Sequence, residues 1–183
     1  MTGAVLIGAA LFGGGLARAA PPGMEIRVGG FLHDARPLMA REGEENGVGF
    51  NAEILSPPFV RAKGGAALLV RGGVNIAPAG ISAMYGELVG SVPVTRGLFV
   101  EVGGGGAIHD ADPLTFDELP AGETSEGRRL LGRRVLFHFT VAVGYRLNAR
   151  WSVQVYADHM SNANTSRNNE GLDNTGLRFG YVY

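Results

Sequence analysis

Apolar and polar residues alternate strictly between Val135 and Leu147. The odd-numbered positions of this stretch are all apolar or aromatic, and the even-numbered ones are small or polar apart from Leu136. Alternation with a period of two is typical of a strand whose two faces meet different surroundings. Strands of soluble proteins usually have about 5–6 residues, and this stretch has 13. It therefore predicts an unusually long β-strand.

The same alternation recurs along the chain. It is clear in five further stretches: Ile26 to Leu32, Val48 to Ile54, Leu98 to Val102, Trp151 to Ser161 and Thr175 to Tyr183. Two others, Ala62 to Val74 and Ile81 to Val92, are strand-like, but their pattern does not show which face points inward. The sum is eight strands, and bacterial outer-membrane barrels have even numbers of strands.

Long alternating strands fit two architectures: a soluble barrel with an apolar interior, as in a lipocalin-like binder, and a membrane barrel with the polar face inside. The polar faces carry charges among glycines, which suits a narrow barrel interior where charges pair: Arg27, Glu53, Glu101, Arg146 and Arg178. The apolar faces carry aromatic residues near strand ends, where bilayer proteins have their girdles: Tyr145, Trp151, Tyr181 and Tyr183. We therefore predict an all-β fold, an eight-stranded antiparallel transmembrane β-barrel of the bacterial outer membrane.

The amino-terminal segment has a different character. Ala4 to Leu16 is an unbroken run of 13 apolar and glycine residues, whereas a membrane-spanning helix needs about 20. The run ends at Ala17-Arg18-Ala19, a small-x-small pattern of the kind that signal peptidase cleaves. We expect residues 1–19 to be a cleaved signal peptide and residues 20–183 to form the barrel.

The lengths of the predicted connections differ between the two ends of the barrel. Three are short, namely Ser56–Arg61, Pro93–Arg96 and Leu147–Arg150, and three are long, namely Asp34–Asn46, His109–Arg134 and Asn162–Asn174. The seventh, near Asn75–Ala79, is brief although it belongs to the end with the long connections. Bacterial barrels have short periplasmic turns and longer extracellular loops. This predicts periplasmic termini and puts the end of the Trp151–Ser161 strand at the extracellular rim.

Composition restricts the chemistry. The formal net charge is −1, with 18% charged residues, so no basic surface is available for nucleic acid. The chain has no cysteine, which excludes disulfides, thiol catalysis and Cys-ligated zinc.

A candidate catalytic group closes the strand at the predicted outer rim. His159 and Ser161 share a strand face because they are two residues apart, which suits a nucleophile and its base. Parity from Trp151 places both on the lipid side, where polar groups are costly unless they serve a purpose. Glu170 or Asp173 would return beside His159 and complete a Ser-His-acid arrangement. Without such a carboxylate, a His-x-Ser at a strand end is usually only a polar strand end at the membrane–water interface.

The stretch Asp158 to Ala163, followed by Glu170 to Tyr181, resembles the C-terminal signature of the lipid A 3-O-deacylase family (PagL, or acyloxyacyl hydrolase). Gly144 to Leu147 and Gly105 to His109 also look like that family. The resemblance implies an outer-membrane esterase that removes the ester-linked 3-hydroxyacyl chain at position 3 of lipid A. It implies lipid A, or lipopolysaccharide, of the outer leaflet as the partner, and a reaction without metal or cofactor.

The resemblance also implies roles for individual residues. Ser161 corresponds to the family's nucleophile and His159 to its base. A gapless mapping puts the acid at Asp173, where well-known members have Glu, and Glu170 is the alternative. The oxyanion hole falls on Asn162 and the backbone N–H of Asn164.

Several alternatives stay open from the sequence. A non-enzymatic small barrel with a structural or adhesive role is the alternative function, and a homodimer is among the assembly states that the sequence allows. We expect His138 to be a hydrogen-bonded interior residue. The outer strand ends carry His33-Asp34 and His109-Asp110-Ala111-Asp112, which we expect to be solvated loop residues rather than cation ligands. Arg128-Arg129 and Arg133-Arg134 either meet lipid A phosphates or are ordinary loop charges.

Overall fold

The computed structural model describes residues 23–35, 47–111, 129–166 and 170–183. The predicted signal peptide, residues 1–19, lies outside them. Eight long strands run through the described residues: β1 Glu25–His33, β2 Gly47–Leu55, β3 Ala67–Ile76, β4 Ala83–Pro93, β5 Leu98–His109, β6 Val135–Arg146, β7 Trp151–Ser161 and β8 Leu172–Val182. Among these residues, no helix is long and apolar enough to cross a membrane.

The eight strands close into an antiparallel barrel. Each strand pairs with the next one along the chain, and β8 pairs with β1 through a register that sets Glu25 opposite Val182 and His33 opposite Asn174. Closure pairs the backbone groups at what would otherwise be two open sheet edges. The predicted fold class, an eight-stranded antiparallel barrel, is confirmed.

Burial follows the alternation of the sequence. In β6, for example, Phe137 is 59% exposed while its neighbour His138 is 2% exposed. In β3 and β4, for which the sequence does not show which face points inward, the odd-numbered side chains lie inside the barrel. Leu69 of β3 and Val89 of β4 are buried there, so apolar side chains occupy both faces of these strands and the polarity contrast is weak.

The barrel interior holds a network of paired charges. Arg27 lies 2.9 Å from a Glu25 oxygen and 2.7 Å from Glu101, and Arg178 lies 2.8 Å from Glu53. The predicted pairing of interior charges is therefore observed. Glycines make room for this network, because a Cβ on Gly180 would lie 2.1 Å from the Glu25 carboxylate.

His138 also takes part in this interior network. Its Nδ1 lies 3.0 Å from Glu87 Oε1, and Nε2 lies 3.7 Å from Asp158 Oδ1. The expected interior position of His138 is thus observed, with carboxylates on both sides of the ring.

The connections separate the two ends of the barrel. The turns after β4 and β6 are short, as predicted, but β3 begins at Ala67 rather than at Ala62. The intervening segment folds back, and its residues Val60–Arg61 pair with Leu68 and Ala67. The aromatic residues lie at this end, where the Trp151 and Tyr181 rings are 4.9 Å apart. The opposite end receives the connections after β1, β3, β5 and β7.

Candidate active site

The pairing of β7 with β8 brings the two principal site residues together. His159 and Asp173 are direct partners in the antiparallel ladder, and His159 Nδ1 lies 2.5 Å from Asp173 Oδ1. Asp173 is fully buried, and His159 is only 8% exposed. Since Nδ1–H donates to the carboxylate, Nε2 is the ring nitrogen left to act as an acceptor.

Ser161 is the last residue of β7 and lies two positions beyond His159. By the alternation of β7 it shares the outward face with His159, while Met160 between them is fully buried inside. In the ladder Ser161 lies opposite Phe137 of β6, a residue that is 59% exposed on the outer surface. A polar pair thus sits on an otherwise apolar outer wall.

Gly171 covers one side of the His159 ring. Its φ of +66° is in the left-handed region, and a Cβ added there would lie 2.9 Å from His159 Cε1. The backbone therefore passes against the imidazole at a distance that only glycine allows. This contact explains why an outward-facing histidine is almost completely shielded.

The turn after β7 has an uncommon backbone. Ala163 and Asn164 have φ values of 51° and 60°, and left-handed geometry costs a non-glycine residue about 1–2 kcal/mol. Thr165 holds the turn, because its N–H and hydroxyl both donate to Asn162 O, at 3.0 and 2.6 Å. The Asn162 side chain is buried, and its Nδ2 donates to Leu131 O at 2.9 Å. Asn164 is exposed.

The two candidate acids lie in different places. Glu170 Oε2 accepts a hydrogen bond of 2.6 Å from the Leu130 N–H, whereas Asp173 accepts from His159. The structure thus brings His159 and Asp173 together, with Ser161 on the same strand face. Glu170 instead contacts the backbone of Leu130, in the segment before β6.

The expectation of solvated residues at the outer strand ends is wrong for three of them. His33, Asp34 and His109 are 3%, 2% and 2% exposed. His109 Nε2 lies 2.6 Å from Arg133 O, and His33 Nε2 accepts from the Ile81 N–H at 3.3 Å. These side chains close the barrel end instead of facing water.

Among the other charged residues predicted for this end of the barrel, three are exposed: Asp110, Arg133 and Arg134. Asp110 accepts from the Ser82 N–H at 2.8 Å, and no cluster of three metal-ligating side chains occurs in the described part of the chain. Asp112 and Arg128 lie outside the described residues. Arg129 is buried and paired with Asp34 at 2.6 Å, so it is not available to a lipid phosphate.

Sequence reasoning missed two contributors to this site. Gly171 could have been noticed, because a glycine directly before a strand often marks an unusual backbone angle. The Asp34–Arg129 pair joins residues 95 positions apart, and no local pattern indicates such a contact.

The architecture of the barrel by itself defines a class of protein. A closed barrel with charges inside and apolar side chains outside is an integral outer-membrane barrel. The model of the lipid A 3-O-deacylase (PagL) family matches residues 73–182, more than half of the 183-residue chain, and includes His159, Ser161 and Asp173. The chain belongs to this family, and family and fold together support an outer-membrane lipid A deacylase.

Solved structures agree with this fold. The crystal structure of the outer membrane enzyme PagL is similar with a TM-score of 0.61 at 18% identity, covering 86% of this chain and 99% of that one. The N-terminal β-barrel domain of Pseudomonas aeruginosa OprF has a TM-score of 0.54 at 12% identity, covering 89% and 98%. A de novo designed transmembrane β-barrel has a TM-score of 0.52 at 12% identity, covering 90% and 98%. Comparison with curated proteins finds no significant sequence match.

Proposed function

We propose that the protein hydrolyses the ester that joins a 3-hydroxyacyl chain to position 3 of lipid A, with Ser161, His159 and Asp173 as a catalytic triad. The observation that carries this proposal is the hydrogen bond between His159 and Asp173 on the outer wall of the barrel. A histidine oriented by a buried carboxylate, beside a serine on the same strand face, is the arrangement that activates a hydroxyl nucleophile.

The reaction proceeds in two halves. Ser161 Oγ attacks the acyl carbonyl carbon, and His159 Nε2 accepts the hydroxyl proton as the bond to carbon forms. When the tetrahedral intermediate collapses, the bond to the sugar oxygen breaks and His159 returns its proton to that oxygen. Water then attacks the acyl-enzyme with the same base, which releases the 3-hydroxy fatty acid and restores Ser161. Asp173 keeps the imidazole in the required tautomer throughout.

The oxyanion of each intermediate needs donors next to Ser161. Asn162 follows the nucleophile directly, and its amide is oriented by the bond to Leu131 O. The backbone N–H of Asn164, in the left-handed turn, is the second proposed donor. Losing one such donor typically lowers the rate by about 10²–10³.

The position of the site selects the substrate class. His159 and Ser161 lie at the barrel end that also receives the long connection after β5, which we assign to the cell exterior. Lipid A forms the outer leaflet there, so a serine on the outer wall near this rim meets the ester bonds of that lipid. A site inside the barrel would face the filled, charged interior instead.

Mass spectrometry of lipid A tests the proposal. Cells that express the wild-type protein should lose the mass of one 3-hydroxyacyl chain from lipid A, and cells that express Ser161→Ala should not. Because a membrane can hold such an enzyme latent, the purified protein should also be assayed on lipid A in detergent. Unchanged acylation in both settings would overturn the deacylase proposal and favour a structural or adhesive barrel.

A further inference from the structure

We propose that the buried segment Arg129–Leu131, which we call the strap, holds the oxyanion-side donor in place, and that Arg129 is a positioning residue acting through Asn162. This inference rests on the proposed function. Arg129 does not belong to the triad, and nothing in the family match assigns it a role.

The strap is buried although it belongs to a connecting segment. Arg129, Leu130 and Leu131 are 3%, 2% and 0% exposed, whereas Arg133 and Arg134 just beyond them are exposed. Connecting segments normally run over the surface, since buried backbone needs partners. The strap must therefore be anchored by specific contacts.

The first anchor is a bidentate ion pair between Arg129 and Asp34. Arg129 Nε lies 3.1 Å from Asp34 Oδ2, and its NH2 group lies 2.6 Å from Asp34 Oδ1. Two parallel hydrogen bonds fix the direction of a guanidinium as well as its distance. Asp34 follows β1 directly, and its φ of 54° turns the chain there. The pair therefore ties the strap to the end of β1.

Two further contacts tie the strap to the rest of the barrel end. The Leu130 N–H donates to Glu170 Oε2 at 2.6 Å, just before β8. The Leu131 side chain packs in the apolar cluster that contains Met160 and Leu172. These are the inward neighbours of Ser161 and Asp173 in their strands.

The strap contacts the candidate site through one backbone atom, Leu131 O. Leu131 O accepts the hydrogen bond from Asn162 Nδ2 at 2.9 Å. A shift of the strap would therefore move the Asn162 amide, and misplacement of a catalytic group by about 1 Å can cost about a hundredfold in rate.

A buried ion pair is a weak source of net stability, because desolvation offsets the attraction between the charges. Its directional hydrogen bonds, however, hold neighbouring groups in one arrangement. This favours positioning as the role of the Arg129–Asp34 pair.

A double-mutant cycle tests the inference on the full-length protein purified in detergent, with lipid A as substrate and released 3-hydroxy fatty acid as the readout. The variants are Arg129→Gln, Asn162→Ala and their combination. Arg150→Gln is the matched control, because it removes an exposed guanidinium at the opposite end of the barrel. Heat-modifiable migration on a denaturing gel verifies folding of each variant.

We expect Arg129→Gln to lower kcat about tenfold, with KM nearly unchanged and Arg150→Gln at the wild-type level. In the Asn162→Ala background, Arg129→Gln should have almost no further effect, since residues that act through one another are not additive. Arg129→Lys keeps the positive charge but cannot form the bidentate pair with Asp34. Its kcat should therefore lie between those of the wild type and Arg129→Gln.

Two results would overturn the proposed role of Arg129 and leave the proposed function standing. One is a wild-type kcat in Arg129→Gln, and the other is a full additional loss of kcat when Arg129→Gln is added to Asn162→Ala. If Arg129→Gln does not fold, Arg129→Lys is judged in the same cycle by the same criteria. A wild-type enzyme that releases no acid would instead overturn the proposed function, and the strap's role with it.

Discussion

Asp173 lies directly across the β7–β8 ladder from His159, with 2.5 Å between Asp173 Oδ1 and His159 Nδ1. The two residues are 14 positions apart, and the antiparallel register alone makes them neighbours. Groups held on paired strands are placed more precisely than groups on loops. The outer wall of a rigid barrel is therefore a suitable scaffold for an imidazole and its carboxylate.

Replacing the acid should separate the two candidate carboxylates. We expect Asp173→Asn to lower kcat by up to about 10⁴, because an amide can stabilise the wrong imidazole tautomer. Glu170→Gln should lose far less, since Gln keeps an oxygen that accepts from the Leu130 N–H. Steady-state assays of both purified variants on lipid A check this. A dead Glu170→Gln beside an active Asp173→Asn would reverse the assignment.

The two histidines of the β6–β7 pair should respond in opposite ways. His159→Ala should abolish turnover and leave barrel assembly normal, because the ring contributes to the site on the outer wall. His138→Ala should keep activity at low temperature but unfold at a lower temperature, because it removes one interior partner from each of Glu87 and Asp158. Activity and the temperature of the heat-modifiable gel shift should be measured on both. Equal loss of assembly in the two variants would contradict this division.

Gly171→Ala should damage the reaction more than the fold. The added Cβ would lie 2.9 Å from His159 Cε1, so the imidazole must move. Gly64→Ala is the matched control, because Gly64 also has a positive φ, of 95°, but a Cβ there meets nothing within 4 Å. Both variants carry left-handed strain of about 1–2 kcal/mol, and only Gly171→Ala should lose kcat. Equal kcat values in the two would refute the contact with His159.

Removing one member of the interior charge network should destabilise the barrel. Arg27→Met leaves three buried carboxylates, those of Glu25, Glu53 and Glu101, without their shared partner. Breaking a buried pair in this way typically costs about 3–5 kcal/mol. Arg96→Met, which removes an exposed guanidinium, is the control. We expect a lower unfolding temperature for Arg27→Met alone, measured from the gel shift in a temperature series.

Much of the fold was predictable from local pattern. The facing of β1, β2, β5, β6, β7 and β8 followed from alternation, because the lipid side of such a wall must be apolar and the narrow interior must pair its charges. The facing of β3 and β4 did not, since Leu69 and Val89 are apolar yet inside. The pattern also predicts that β3 begins at Ala62 rather than at Ala67, because a segment that folds back on its own strand carries the same residue types as the strand.

For the site, the sequence alone determined that His159 and Ser161 share one strand face, since that follows from the period of a strand, and it left Asp173 and Glu170 as rival acids. Only the tertiary structure set Asp173 opposite His159 and Glu170 on the Leu130 N–H, because the register between two strands depends on the whole closed barrel. It also decided that Arg129 and Asp34 are buried partners rather than solvated charges. Periodicity is a property of a single strand, whereas register and contacts between distant loops arise from packing among many residues and leave no local pattern.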